Sequence, residues 1–147
     1  MTGTAAPPLA LYVHWPFCRA KCPYCDFNSH VATHIDEARF AAAYRREMQH
    51  MADHYAWGRN LVSVFFGGGT PSLMSPALVA DILDTADRLF GFTPGIEITA
   101  EANPTSAEAA VFEEFWAAGV NRVSLGVQSL DDAALAFLGR EHSAAEA

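Results

Sequence analysis

Short apolar runs alternate with longer amphipathic stretches along the chain, in a regular order. Leu9 to His14 is a run of strand formers closed by Pro16. A loop over 15–33 follows. Phe40, Tyr44, Met48, Met51 and Tyr55 then recur at helical spacing, which predicts a helix from about Ile35 to Tyr55. Thr33, with Asp36 three residues on, is its expected N-terminal cap. Leu61 to Phe66 predicts a second strand that runs straight into Gly67-Gly68-Gly69-Thr70-Pro71. Ser75 caps, and Pro76 opens, a helix ending near Phe90-Gly91. Ile96 to Ala102 is a third strand, stopping at Asn103-Pro104. Thr105 and Glu108 form a capping box for a third helix ending at Gly119. A fourth strand lies within Val120 to Val127, and Asp131-Asp132 opens a fourth helix that stops near Gly139.

β-α repeated four times at this spacing means parallel strands with crossover helices, so the class is α/β. Chemistry in such folds collects at the carboxyl ends of the strands. The cysteine loop, the glycine run, Glu101-Ala102-Asn103-Pro104 and Gly126-Val127-Gln128 occupy four such ends, and the pattern predicts that they meet on one rim. Residues 1–8 read as a flexible leader and 9–147 as one domain. Ser143 and Glu146 repeat the capping-box pattern one residue before the last. That predicts the front half of a longer protein.

Composition narrows the setting. The 147 residues suffice for one core. The apolar fraction of 51% is spread over short runs, none near the roughly 18 residues of a membrane span. Met1 to Pro8 lacks a basic segment leading into a long apolar core, so no signal peptide is read and the cytoplasm is expected. A net charge of −8 without a basic stripe argues against nucleic acid and anionic membranes as partners.

The cysteines change the picture most. All three, Cys18, Cys22 and Cys25, fall within eight residues. A disulfide scaffold calls for an even, dispersed set, whereas clustered thiols suggest a metal site. Thiolates are soft ligands for an iron–sulfur cluster or for zinc. On a cubane cluster, three cysteines leave one iron open to a small molecule; on zinc, His14, Asp26 or His30 would be the fourth ligand. The spacing leaves both open. The glycine run lacks the Lys-Ser/Thr of a phosphate loop and the spacing of a dinucleotide loop, so it reads as a close backbone approach to some other ligand or as a tight turn. Glu101, at a strand end, suits ribose hydroxyls and equally reads as an exposed acid. Arg140 suits a carboxylate, or a surface ion pair with Glu141 or Asp132. Gln128 is a similar case. No histidine is assigned an acid or base role; His14 adjoins the cysteine loop and either orients the cluster or packs.

Taken together, Tyr12 to His30, Phe65 to Leu73, Glu101 to Pro104, Arg122 to Leu130 and Leu138 to Ser143 resemble the radical-SAM coproporphyrinogen III oxidase-like family, and within it the heme-chaperone (HemW) group. The resemblance covers nearly everything from Leu9 onward. It implies the first four units of a partial (β/α)6 barrel, members being longer than this chain. It implies a 4Fe-4S cluster on Cys18, Cys22 and Cys25, with S-adenosylmethionine chelating the open iron. Tyr12 and Tyr24 match positions flanking that cofactor. Gly68, Gly69 and Thr70 match the turn at its methionine end. Glu101 matches the ribose acid, and Gln128 and Arg140 match further contacts. Oxidases of the family carry a fourth cysteine two residues after the third; here that position is Phe27. The resemblance therefore implies a heme chaperone, with heme or porphyrin as ligand and heme-acceptor proteins such as respiratory enzymes as partners. An electron donor such as flavodoxin or ferredoxin is implied too, and membrane association only through partners. The heme-binding portion is expected mostly beyond residue 147. The alternatives are an oxygen-independent coproporphyrinogen III oxidase and a zinc-stabilised α/β interaction module. Enzymatic activity is left open. As a fragment, the chain is expected to expose its fourth strand's edge and an apolar barrel interior, and to be poorly soluble.

Overall fold

The structure, a computed structural model, describes residues 7–56, 58–105 and 111–147. One four-stranded sheet organises it: β1 (Leu9–Trp15), β4 (Leu61–Gly68), β5 (Phe92–Ala102) and β6 (Arg122–Leu125), side by side in that order. Every pairing is parallel. A separate two-residue ribbon, β2 (Phe17–Cys18) with β3 (His30–Val31), lies inside the long first loop. The helices are α1 (Glu37–Met51), α2 (Pro76–Phe90), α3 (Phe112–Ala118) and α4 (Asp132–Phe137). The α/β class and four of the expected units are thus present.

Alternate strand residues build one core. Val13 and Trp15, Val64 and Phe66, and Ile98 and Ala100 turn to the same side, against Ile82 and Leu83 of α2 and Met48 of α1. Between the two long helices, Arg45 holds both carboxylate oxygens of Asp81 at 2.7 and 2.6 Å. Both side chains are partly exposed, so this pair contributes only about 0–1 kcal/mol. The apolar burial holds the layer together.

Two helix starts differ from the expectation or fall outside it. α1 is capped by Asp36, whose Oδ1 accepts from the Arg39 amide at 3.0 Å, and not by Thr33. The physical reason lies one residue on: the Glu37 carboxylate accepts from the amide and the hydroxyl of Ser75, the cap of α2, which fixes residue 37 in the first turn. The expected Thr105–Glu108 box extends outside the described residues; α3 does end at Gly119, at φ 113°. β5 starts four residues earlier than expected, with a register shift opposite β4 between Leu61 and Ser63.

The strand face opposite the helices is not apolar. Tyr12, Phe65, Thr99 and Arg122 lie in register across it. The Arg122 guanidinium donates to Thr99 Oγ1 at 3.2 Å and lies 3.4 Å from Glu97. An apolar interior was expected; three of these four register positions carry hydrogen-bonding side chains and the fourth, Phe65, is aromatic.

Candidate cofactor site

The cysteine loop is held by backbone contacts with the glycine run. The Gly69 amide donates to the Trp15 carbonyl at 2.6 Å and the Thr70 amide to the Phe17 carbonyl at 2.7 Å. The loop's backbone presses so closely on Gly69 that an added Cβ would lie 2.5 Å from the Phe17 oxygen. Gly68 adopts φ 110°, and a Cβ there would lie 2.6 Å from the His14 ring. The close approach read from the glycines is therefore first an approach of the chain to itself.

Side chains close the loop further. Lys21 Nζ donates to the Phe27 carbonyl at 2.9 Å and to Ser29 Oγ at 2.8 Å. His14 Nε2 lies 2.9 Å from the Asn28 carbonyl, which can only accept, so Nδ1 is left to accept from the Tyr12 hydroxyl at 3.1 Å. His14 thus anchors the far side of the loop. Tyr44 donates to the His14 carbonyl at 2.6 Å; burial, with the neighbouring Tyr12, pushes its hydroxyl up to about 12. β2 and β3 then pair across the loop's neck.

The four strand ends meet as the alternation predicts. They enclose a cavity of about 210 Å³, many times the roughly 10–15 Å³ one water needs. Cys18, Cys22, Cys25, Tyr24, Gly68, Gly69, Thr70, Glu101, Gln128 and Arg140 all line it. Tyr12 does not: it lines a second, more apolar cavity of about 380 Å³ beside β1 and α1. It still stands close to Glu101, since a Cβ on Gly67 would lie 3.0 Å from the Tyr12 ring and 3.2 Å from the Glu101 carboxylate. Burial first, then the Glu101 charge, raises the Tyr12 hydroxyl.

Arg140 ties the cavity together. Its Nη2 donates to Asn103 Oδ1 at 2.6 Å and to the Gly126 carbonyl at 2.7 Å. Its Nη1 lies 3.4 Å from both Cys22 Sγ and the Tyr24 hydroxyl. Burial, followed by the hydrogen bond with Cys22, raises the Tyr24 hydroxyl, and the Arg140 charge opposes the rise. The surface ion pair with Glu141 or Asp132 is not formed; the Asp132 carboxylate takes the Ala144 amide instead. The reason is position: residue 140 follows α4 directly, at the rim, where carbonyls and a side-chain amide are within reach.

His142 carries no assignment in the sequence, and the backbone roles of Gln128 and Gly139 were not expected. His142, only 5% exposed, donates from Nε2 to the Val127 carbonyl at 3.1 Å and holds the turn that carries Gln128. Gln128 sits at φ 69°, the one positive-φ residue other than glycine among those described, a conformation that needs support from its surroundings. Gly139, at φ 67°, places α4 against Pro23 of the cysteine loop, 3.2 Å from where a Cβ would stand. The Gly after a short helix was a legible signal for the last of these; the others lack one.

The donor set fits an iron–sulfur cluster. Each thiolate of such a cluster binds a different iron, so the sulfurs line a wall and need not converge. Among the described residues no three His, Cys, Asp or Glu side chains converge as a structural zinc site with four protein ligands requires. His14, Asp26 and His30 do not line the cavity. Beside the thiols, the buried Arg140 Nε has no hydrogen-bond partner, a donor that an anionic ligand group satisfies.

Thiols, a guanidinium and a carboxylate gather at the strand ends of a parallel sheet in an α/β protein. The Radical SAM superfamily profile matches residues 12–147, and the chain belongs to that superfamily. It is 48% identical over 138 residues to the mitochondrial radical S-adenosyl methionine domain-containing protein 1 of Bos taurus, covering 94% of this chain and 31% of that protein. It is 42% identical over 147 residues to the heme chaperone HemW of Escherichia coli, covering 96% and 37%. A solved structure, coproporphyrinogen III oxidase (HemN) from Escherichia coli, described as a radical SAM enzyme, superposes with TM-score 0.73 at 31% identity over 92% of this chain and 31% of that one. The chain thus spans about a third of the length of these relatives. No described helix is long and apolar enough to cross a membrane.

Proposed function

We propose that this chain is the cofactor-binding part of a radical-SAM heme chaperone, which takes part in binding heme and passing it to acceptor proteins such as respiratory enzymes. The observation that carries the reading is the convergence of the three thiols, the glycine turn, Glu101, Gln128 and Arg140 on one cavity. The relatives named heme chaperone supply the rest of the reading. Cys18, Cys22 and Cys25 hold a 4Fe-4S cluster, and S-adenosylmethionine occupies the cavity beside it. When bound, the cluster supplies an electron, drawn from a donor such as flavodoxin or ferredoxin, to the sulfonium.

The chain's own residues bind and orient. Arg140 offers its unpartnered Nε to the methionine carboxylate while Asn103 and Gly126 fix the fork. Glu101 accepts from ribose hydroxyls. Tyr24 flanks the cofactor from the loop, and Gln128 from the opposite strand end. Gly68, Gly69 and Thr70 keep the cysteine loop seated against the glycine run, which sets where the thiols stand. Tyr12 acts one step back, through His14 and Asn28. A cytoplasmic location, with membranes reached only through partners, belongs to the same reading, although animal relatives are named mitochondrial.

Oxidation of coproporphyrinogen III is the second reading, favoured by the structural likeness to the oxidase. Phe27, which lines the cavity and is 63% exposed, speaks against it, since the resemblance places a further cysteine there in oxidases. The full-length protein, anaerobically reconstituted with iron and sulfide, separates the two. A heme chaperone retains heme and transfers it to an apo-acceptor without converting coproporphyrinogen III. Protoporphyrinogen IX formation overturns the preference, and a colourless, zinc-bound protein overturns both.

A further inference from the structure

We propose that His50 and His54 form a two-histidine chelate for a borderline divalent ion of the nickel, copper and zinc group, away from the cysteine cavity. The two residues sit where α1 passes into a π-helical turn, Ala52–Ala56. Residues four apart are neighbours on a helix face, and this pair spans the junction of the two helical turns. The His50 and His54 ring centroids are 4.3 Å apart with planes inclined by 32°. Both side chains are exposed.

The protonation pattern suits a ligand. His54 Nδ1 lies 2.8 Å from the His50 carbonyl, which only accepts, so Nδ1 carries the proton. The neutral ring then keeps its lone pair on Nε2, on an exposed side chain. A backbone carbonyl on the far nitrogen is the support that metal-bound histidines receive, fixing tautomer and orientation. No hydrogen bond among the described residues engages the His50 ring, so its donor atoms are open. Imidazole nitrogens select nickel, copper and zinc over magnesium and calcium. Asp53 lies between the two but is engaged by Gln49 Nε2 at 2.8 Å, so the chelate is bidentate and the ion keeps open positions. The site owes nothing to the cluster cysteines and stands whether or not the chain serves heme transfer.

The test is calorimetric titration of Ni²⁺ into the tag-free, cluster-loaded full-length protein under anaerobic conditions. One site is expected in the wild type. Losing one of two linked donors forfeits the intramolecular second bond, so H50A and H54A should each weaken binding about a hundredfold. H50A/H54A should abolish it, with the cluster's visible absorption unchanged in every variant. Absence of a wild-type site, single variants with unaltered affinity, or a site surviving in the double variant would each overturn the assignment.

Discussion

Gly69 shows how a single missing side chain places the thiols. The space a Cβ would need is filled by the backbone of Phe17, one residue before Cys18. Backbone cannot rotate aside, so Gly69→Ala must push the cysteine loop away. We expect a loss of about 1–3 kcal/mol in stability and a lower iron and sulfide content after reconstitution; unchanged content would show that the loop tolerates the shift. Arg140→Lys keeps the charge and loses the fork. On the proposed reading it should weaken S-adenosylmethionine binding about tenfold or more, measured by calorimetry on cluster-loaded protein. Tyr44 carries a pH dependence whose sign is set by its raised hydroxyl. Below pH 10 it is protonated folded and unfolded, and its bond to His14 contributes fully. As pH rises from 10 toward about 12 the unfolded state ionises first, so that contribution is lost. Tyr44→Phe should cost about 1 kcal/mol near neutrality. Its deficit in melting temperature relative to wild type should shrink across that alkaline window, and a constant deficit would refute the account.

At the scale of elements, the first loop behaves as a built unit. β2 and β3 pair at its neck, Lys21 staples its interior, and α4 touches it from the far end of the chain through Gly139 and Arg140. α4 is only six residues long, so its cap carries a large share of its stability. Asp131 accepts from the Ala134 amide at 2.7 Å. Asp131→Ala should cost about 1 kcal/mol. Because Arg140 follows that helix directly, the change should also loosen cofactor binding, with no contact to the cofactor altered. Calorimetry on the variant distinguishes this from a cap effect confined to stability, in which affinity would stay unchanged.

The whole molecule is a one-sided sheet. Helices cover one face, while β1 and β6 are its outer strands. Leu125, Leu130 and Phe137, near the β6 edge, are 43%, 78% and 87% exposed. An unpaired edge beside exposed apolar side chains invites association. The 147 residues produced alone should therefore aggregate in light scattering; a monodisperse, cooperatively unfolding preparation would contradict this. The polar register row of Tyr12, Thr99 and Arg122 tempers the expectation, because the other face is more polar than a barrel interior of aliphatics.

Local patterns were enough for the order of the four sheet strands and four helices, though not for the β2–β3 ribbon in the stretch read as a loop, and for the caps at Ser75 and Asp131 and the candidate residues at the four strand ends. Each depends on periodicity or on neighbours within a turn, information carried along the chain. Their meeting on one rim followed from the rule that parallel strands point the same way. Only the tertiary structure decided which partner each group takes. Arg140 bonds Asn103 and Gly126 and leaves Glu141 and Asp132, and Asp36 displaces Thr33 as cap once Glu37 is held by Ser75. Tyr12 supports the site through His14 from outside the cavity. Gly69 yields to the backbone of Phe17, 52 positions earlier in the chain. The contacts of Arg140, of Glu37 with Ser75 and of Gly69 join residues far apart in sequence, where no period or motif links them, and they exist only once the fold has brought those segments together.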